Sequence, residues 1–256
     1  MSGIEWADWA AVGAVAVLPD GAGTPEPCLF FVPRADFDVV DEWHSLGLRG
    51  SASNTVVVED VFVPNHRVFP IGRVAATGQP AADTTDDGPL YSVPFGPMLT
   101  LCIFPVVIGL AYRALREFRT WTEARVRPYE AGAEQRQNPA SQIATAEASA
   151  RVDAAYALAL QYTALLERFG AEKRTTISLE ERERLFAWRG LIATTCTEVV
   201  ADLYRAAGAS ALFPGHPLER VFRDVHAANM HASLLYGDAM INYGRSMYGQ
   251  PGHPMF

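Results

Sequence analysis

Two imidazoles five residues apart, His226 and His231 in RDVHAANMHASLL, are the groups in this chain best suited to moving protons. Histidine is the side chain whose unperturbed pKa lies closest to neutrality. The segment reads as helix, and at ~100° per residue two positions five apart point ~140° from each other. One metal ion would reach both rings only if the helix broke between them. No HExxH or CxxC pattern supplies further ligands. No metal site is therefore expected, and the histidines are expected to act separately. The competing reading of each ring, taken alone, is a satisfied residue of an amphipathic helix.

Helical periodicity runs through residues 97–256, the part that must position them. A first helix is expected from Met98 to Val126, apolar at its start and charged later. A second opens with Asn138 as cap and Pro139 in the first turn, turns Ile143, Val152, Tyr156, Tyr162, Leu165 and Phe169 to one side, and stops at Gly170. A third begins with the capping box of Ser178 and Glu181 and carries Leu185, Trp188, Ile192, Val199 and Leu203 until Gly208. Pro217 opens the fourth, which includes both histidines. Four long amphipathic helices joined by short loops make a bundle.

Residues 5–70 have strand chemistry instead. AAVGAVAVL, PCLFFVP and NTVVVEDVFVP are short β-branched or aromatic runs bounded by Gly, Pro, Asp and Asn. The last is too apolar for simple alternation, which predicts a strand packed on both faces or one ending at Asp60. So few strands must find further partners to close a sheet. Residues 73–96, rich in Ala, Thr, Asp, Gly and Pro, read as a connector. The expected class is α+β: a partial β-sheet or barrel followed by a four-helix bundle.

Composition narrows the partners. The formal charge is −8, from 21 basic and 29 acidic residues, and the basic residues are scattered, which argues against nucleic acid and anionic membranes. The longest apolar run, Leu99 to Tyr112, is short for a bilayer span and contains Pro105, so it reads as a buried helix. Cys28, Cys102 and Cys196 lie far apart in apolar settings and read as buried, reduced thiols, which favours the cytoplasm. The N-terminus lacks the basic and apolar regions of a signal peptide.

Two stretches carry a resemblance. DEWHSLGLRGSASNTVVVEDVFVP, Asp41 to Pro64, resembles the middle-domain signature of the acyl-CoA dehydrogenase superfamily. GHPLERVFRDVHAANMH, Gly215 to His231, resembles the C-terminal helix of its flavin-dependent monooxygenase branch, the oxygenase components of two-component hydroxylases. Without the resemblance, Gly47, Gly50 and Ser51 would simply shape a turn, and Arg220, Arg223 and Asp224 would be surface ion-pair residues of little energetic weight. The resemblance implies a flavin-binding middle β domain over 1–72 and an acyl-CoA dehydrogenase-like bundle over 97–256. It also implies reduced flavin, FMN or FAD, supplied by a separate reductase, O2 as co-substrate, an aromatic or polycyclic substrate, and a homo-oligomer built as a dimer of dimers.

Site residues follow from the same resemblance. Dehydrogenases of this superfamily usually place a glutamate base near Ala232, and alanine cannot act as a base. In the monooxygenases a histidine stands beside the flavin where O2 reacts, and His231 matches it better than His226, which is left to structure or to the substrate pocket. SGIEWADW resembles a strand whose Ser-Gly lies by the flavin N5, which assigns Ser2 a catalytic role and Ser2 and Gly3 to the cofactor; a frayed terminus is the alternative. Arg125, in EARVRPY, resembles the arginine that meets the flavin's phosphate-bearing tail, and it is also a helix-terminal cation. Gly208 opens GASALFPGH where dehydrogenases have a glycine-rich adenine-binding turn, without their paired glycines, so FMN stays open beside FAD. Tyr91 and Phe95, in YSVPFGPMLTL, are placed on the substrate side with His226. Superfamily members begin with a helical domain and further strands that do not match here. Three readings stay open: truncation, completion by a separate N-terminal partner, or a non-catalytic structural relative. The rival enzymatic reading is an acyl-CoA dehydrogenase oxidising a CH–CH bond.

Overall fold

The computed structural model describes residues 1–19, 23–77, 88–127 and 130–251. Residues 78–87 of the expected connector, and Pro128 and Tyr129 of EARVRPY, lie outside the described residues. The chain divides into two compact units, each described by itself.

The first unit comprises Met1–Ser45, Arg49–Gly96 and Glu167–Thr176. Strand β1 (Trp9–Val17) pairs antiparallel with β2 (Pro25–Pro33), from Trp9 opposite Pro33 to Val17 opposite Pro25. A small second sheet joins β3 (Asp38–Val40) to β4 (Thr55–Val57), and β5 (Val68–Phe69) adds to β2 before the short helix α1 (Ile71–Thr77). Alternation along the strands turns Ala10 and Val32 inward onto Ile4 and Phe37, with Val12, Phe30 and Val56 packed around them. The strand expected to run toward Asp60 stops at Val57. Val57 pairs with Asp38, the first residue of β3, so the ladder ends there; Asp60 then adopts φ 51°, and Val58, Val61 and Val63 pack on the core from irregular backbone.

The second unit comprises Leu46–Leu48, Pro97–Leu166 and the chain from Ile177 onward. The single helix expected over Met98–Val126 is two, α2 (Phe95–Thr100) and α3 (Phe104–Ala124). Pro105 is the cause: it has no N–H to donate and its ring would clash with the carbonyl four residues back, so the helix restarts with proline in its first turn. By length and composition alone the stretch Phe95–Ala124 could cross a membrane, a test that a core helix also passes. In α3, Phe104, Val107, Ala111, Ala114 and Phe118 are buried, whereas Val106 and Tyr112 are exposed, as is Leu99 in α2. The run read as wholly buried is therefore amphipathic.

After a two-residue ladder of β6 (Val126–Arg127) with β7 (Ala133–Glu134), α4 spans Pro139–Ala171. Asn138 caps it by accepting from Ala140 N at 2.8 Å. Its buried stripe is Val152, Ala155, Ala159, Tyr162, Leu166 and Phe169; Ile143 and Tyr156, expected on that side, are 57% and 47% exposed. Gly170 does not stop the helix. A Cβ there would lie 2.5 Å from Pro89 O, so the glycine permits a close approach instead. Helix α5 (Leu179–Ala207) carries the expected capping box, ends at Gly208 with φ 68°, and packs against α3, α6 (Pro217–Asn229) and α7 (Tyr236–Met247). Helix α7 was not expected, because its buried residues Ala239, Asn242 and Ser246 are small or polar and give no apolar period. Cys28 and Cys196 are buried free thiols, and burial pushes Cys196 up to about 12. Cys102, expected to be buried, is exposed in the break before α3.

Candidate active site

The C-terminal end of α3 gathers one cluster. Arg125 caps the helix, and Trp121, one turn earlier, lies under its guanidinium at 4.6 Å. Arg125 Nη1 donates to Ser210 Oγ at 2.9 Å, and Ser210 is anchored by donating to Ala207 O at 3.0 Å. Gly208 lets the chain turn out of α5 into the short 3-10 helix Gly208–Leu212 that presents this serine. His216 closes the cluster with its ring 6.3 Å from Trp121. Its Nδ1 accepts from Leu218 N at 3.3 Å, so the proton of the neutral ring is on Nε2, which is buried without a partner. Burial, then the Arg125 charge, holds the His216 pKa below the usual imidazole value. A guanidinium held over an indole, in one cluster with an orphaned imidazole N–H, is a donor set suited to a phosphate oxygen.

The break that would have been needed for shared metal binding does lie between His226 and His231. Helix α6 ends at Asn229, and Met230 starts a turn. His226 is in the last turn of α6; its Nδ1 lies 2.7 Å from Phe222 O, and its ring rests 4.1 Å from that of Phe222. His231, expected on the same helix, instead caps the 3-10 helix Ala232–Leu234, accepting from Ser233 N at 3.2 Å. No group of three or more metal-ligating side chains occurs among the described residues. Burial, then Arg189 of α5, holds the His231 pKa below the usual imidazole value. Arg189 is itself buried, donating to Thr100 Oγ1 and, at 3.3 Å, to Tyr162 Oη, which donates to Pro97 O at 2.8 Å.

In the first unit, Ser2 is pinned rather than frayed. Its Oγ lies 2.9 Å from Ser53 Oγ, which lies 2.9 Å from Ser51 Oγ, while Gly3 N donates to Ser51 O at 2.7 Å. Gly3 takes φ 70° to start the 3-10 helix Ile4–Trp6, so residues 2–8 precede the strand to which the resemblance assigned them. Asn54, 1% exposed, accepts from Glu42 N and Trp43 N and donates to Glu5 Oε1. The Asp41–Pro64 motif therefore holds the Ser-Gly pair in place. Tyr91 is 60% exposed, and Phe95 sets its ring 5.9 Å from Phe69.

The two family-like motifs also meet within the second unit. Arg223 Nη1 donates to Leu46 O and Leu48 N donates to Asp224 Oδ1, both at 2.8 Å. Gly47 is buried against α6 so closely that a Cβ would lie 2.1 Å from Arg223 O. Gly47, Arg223 and Asp224 are thus a clasp, not a free turn and loose surface ions, whereas Arg220 remains an exposed residue paired with Asp224 at 3.5 Å; Gly50 has open space around its Cβ position. A separate groove of about 460 Å³, between α3 and the start of α4, is lined by Leu115, Arg119, Arg136, Gln142 and Ser149 among others, and none of the expected site residues borders it.

Trp121, Ser210, His216, Ser53 and Arg189 escaped the sequence reading. Trp121 was legible, standing four residues before Arg125 on one helical face. The others are joined by contacts between segments far apart in sequence.

A family model described as acyl-CoA dehydrogenase, C-terminal domain, matches residues 101–235. The oxygenase subunit HsaA of a flavin-dependent monooxygenase from Rhodococcus jostii (strain RHA1) is 33% identical over 255 residues, covering 98% of this chain and 64% of the relative. The oxygenase component of an FADH(2)-dependent resorcinol hydroxylase from Rhizobium sp. (strain MTP-10005) is 30% identical, covering 97% of this chain and 62% of the relative. The crystal structure of 3-HSA hydroxylase from Rhodococcus sp. RHA1 superposes with a TM-score of 0.85 at 30% identity, over 100% of this chain and 64% of that one. The chain thus spans less than two thirds of the relatives' length. With the β segment and helical bundle in the same order and the family model matched over more than half of its residues, this chain belongs to the acyl-CoA dehydrogenase family through that C-terminal domain.

Proposed function

We propose that the chain serves the oxygenase component of a two-component flavin-dependent monooxygenase, which takes reduced flavin from a separate reductase and hydroxylates an aromatic or polycyclic small molecule with O2. The observation that carries this reading is the Trp121–Arg125–Ser210 stack with the orphaned His216 N–H, a cradle for the phosphate of FMN or FAD in a chain whose relatives are named as flavin-dependent hydroxylases. When bound, the reduced flavin supplies the electrons that activate O2.

The chain's own residues bind and orient. In the second unit Arg125 and His216 would hold the phosphate, with Gly208 shaping the turn behind Ser210; in the first unit Ser2 and Gly3 are assigned to the flavin by the resemblance of their segment. His231 donates a hydrogen bond where negative charge develops on oxygen. His226 in the second unit, and Tyr91 and Phe95 in the first, are assigned to the substrate. Ala232 stands where dehydrogenases of this family carry their base, which favours oxygenation over CH–CH oxidation. Exposed Val106 and Tyr112 on α3, with Ile143, Tyr156 and Leu160 on α4, support a homo-oligomer assembled through the bundle as a dimer of dimers. Unpaired, buried Cys28 and Cys196 support a cytoplasmic location.

The test supplies the purified chain with a flavin reductase, reduced nicotinamide, FMN or FAD, and a panel of phenols and indoles under isotopically labelled O2. A product carrying one labelled oxygen is expected. Reduction of bound FAD by an acyl-CoA, without oxygenation, would assign the chain to the dehydrogenases instead. Stable association with a partner protein and no flavin chemistry would make it a structural subunit.

A further inference from the structure

Glu183 and Arg189, both on α5, are the buried charged side chains among the described residues. Glu183 has a counter-charge, since Arg182 Nη2 lies 2.9 Å from its Oε1. Arg189 is 6% exposed and is paired with no carboxylate among the described residues. A cation removed from water without an opposite charge is strongly destabilising, because nothing replaces its hydration. The Phe186 ring, 5.1 Å from the guanidinium, offsets only part of that loss.

The hydrogens of Arg189 are unevenly used. A guanidinium carries five N–H groups in a planar fork. Nη1 directs its two at Thr100 Oγ1, at the end of α2, and at Tyr162 Oη of α4, the latter at 3.3 Å. Tyr162 donates its own hydrogen to Pro97 O at 2.8 Å, so its oxygen meets Arg189 as an acceptor. By contrast, Nε is buried without a partner, and Nη2 has no acceptor among the described residues. Nε–H and one N–H of Nη2 run parallel along one edge of the plane, the edge that meets both oxygens of a carboxylate. Arg113 and Arg184 also have an orphaned Nε, but neither residue is buried. The charge of Arg189 is felt beyond its own contacts: after burial, it is the second cause that holds the His231 pKa low.

We propose that the Nε/Nη2 edge of Arg189 is a binding site for the carboxylate of a small molecule, which supplies the counter-charge that the bundle lacks there. One negative charge matches one buried cation, and a planar oxyanion satisfies both parallel N–H groups where a spherical ion meets only one point. Access is short, because Thr100 lies between exposed Leu99 and exposed Cys102 in the stretch that leads into the break before α3. This site is separate from the phosphate cradle, since Arg125 caps α3 whereas Arg189 lies within α5 and is held by α2 and α4. It does not rest on the oxygenase reading.

The test titrates the purified chain with acetate, benzoate, benzamide and chloride at matched ionic strength in a thermal-shift assay, without flavin. At ~10–100 times its Kd a carboxylate is expected to raise Tm by roughly 3–10 °C, and neutral benzamide and chloride are not. Arg189→Lys keeps the charge but loses the fork, and is expected to weaken the carboxylate response about 10-fold or more. In crystals grown with para-bromobenzoate, the carboxylate is expected on the Nε/Nη2 edge, located by the anomalous signal of its bromine. No stabilisation by either carboxylate, equal stabilisation by chloride or benzamide, or an unchanged response in Arg189→Lys overturns the proposal. So does bromobenzoate bound only elsewhere, or an edge occupied by an acidic side chain of a second copy. If Arg189→Lys does not fold, the wild-type crystal decides.

Discussion

Replacing Gly47 by alanine tests whether the clasp between residues 46–48 and α6 is structural. The new Cβ would stand 2.1 Å from Arg223 O, 2.4 Å from its carbonyl carbon and 2.7 Å from Asp224 N, all backbone atoms of a helix that cannot yield locally. Comfortable contacts begin near ~3.5 Å, so the segments must separate by more than about 1 Å. That separation breaks the 2.8 Å bonds from Leu48 N to Asp224 and from Arg223 to Leu46 O. Bonds to charged groups contribute ~1.5–3 kcal/mol each and overpacking costs ~1–3 kcal/mol. With part of each bond recovered by water, the expected loss is roughly 3–5 kcal/mol. For a chain of this size it corresponds to a Tm lower by roughly 6–20 °C in a thermal-shift assay. Gly50→Ala is the control, since nothing lies within 4 Å of its Cβ position and a change of at most ~0.5 kcal/mol is expected. A Gly47→Ala protein as stable as the wild type would refute the steric argument.

Arg125→Met is expected to weaken FMN binding by about 10- to 100-fold, the loss of one charge-assisted contact, and to leave riboflavin, which has no phosphate, unaffected; paired calorimetric titrations decide this. Tyr162→Phe removes the donor to Pro97 O and an acceptor for Arg189, and should cost about 1–3 kcal/mol in urea denaturation. His216 and His231 both have lowered folded pKa values, so the folded state binds fewer protons than the unfolded chain. Their contribution to stability is fully present above ~6.5, the unfolded value, and is lost as pH falls through the lower folded values. Urea midpoints that do not fall between neutral and mildly acidic pH in the wild type, relative to a His216→Gln/His231→Gln protein, would contradict this assignment.

Much of the architecture was legible because it rests on local signals. The Ser178–Glu181 capping box, Asn138 before Pro139 and Gly208 after α5 mark ends whose hydrogen bonds are satisfied within a few residues. Arg125 and the two family-like motifs could likewise be picked out by residue type and order. The failures came where contacts distant in sequence decide the outcome. Gly170 looks like a stop signal, yet its role is set by Pro89 O, some eighty positions away. His231 has helical neighbours in sequence, but its Nδ1 competes for Ser233 N and makes it a cap. Ile143 and Tyr156 are apolar enough to read as core, but they sit off the stripe that α4 buries. The orphaned N–H of His216 and the buried Arg189–Tyr162–Thr100 network have no sequence signature, since each depends on elements that meet only in the folded unit.

The most direct test of the central claim is an anaerobic titration of the purified chain with FMN and FAD, first oxidised and then reduced, followed by fluorescence or calorimetry. The account predicts that at least one reduced flavin binds, more tightly than its oxidised form, and that Arg125→Met abolishes most of that affinity. No binding of either flavin in either redox state would contradict it.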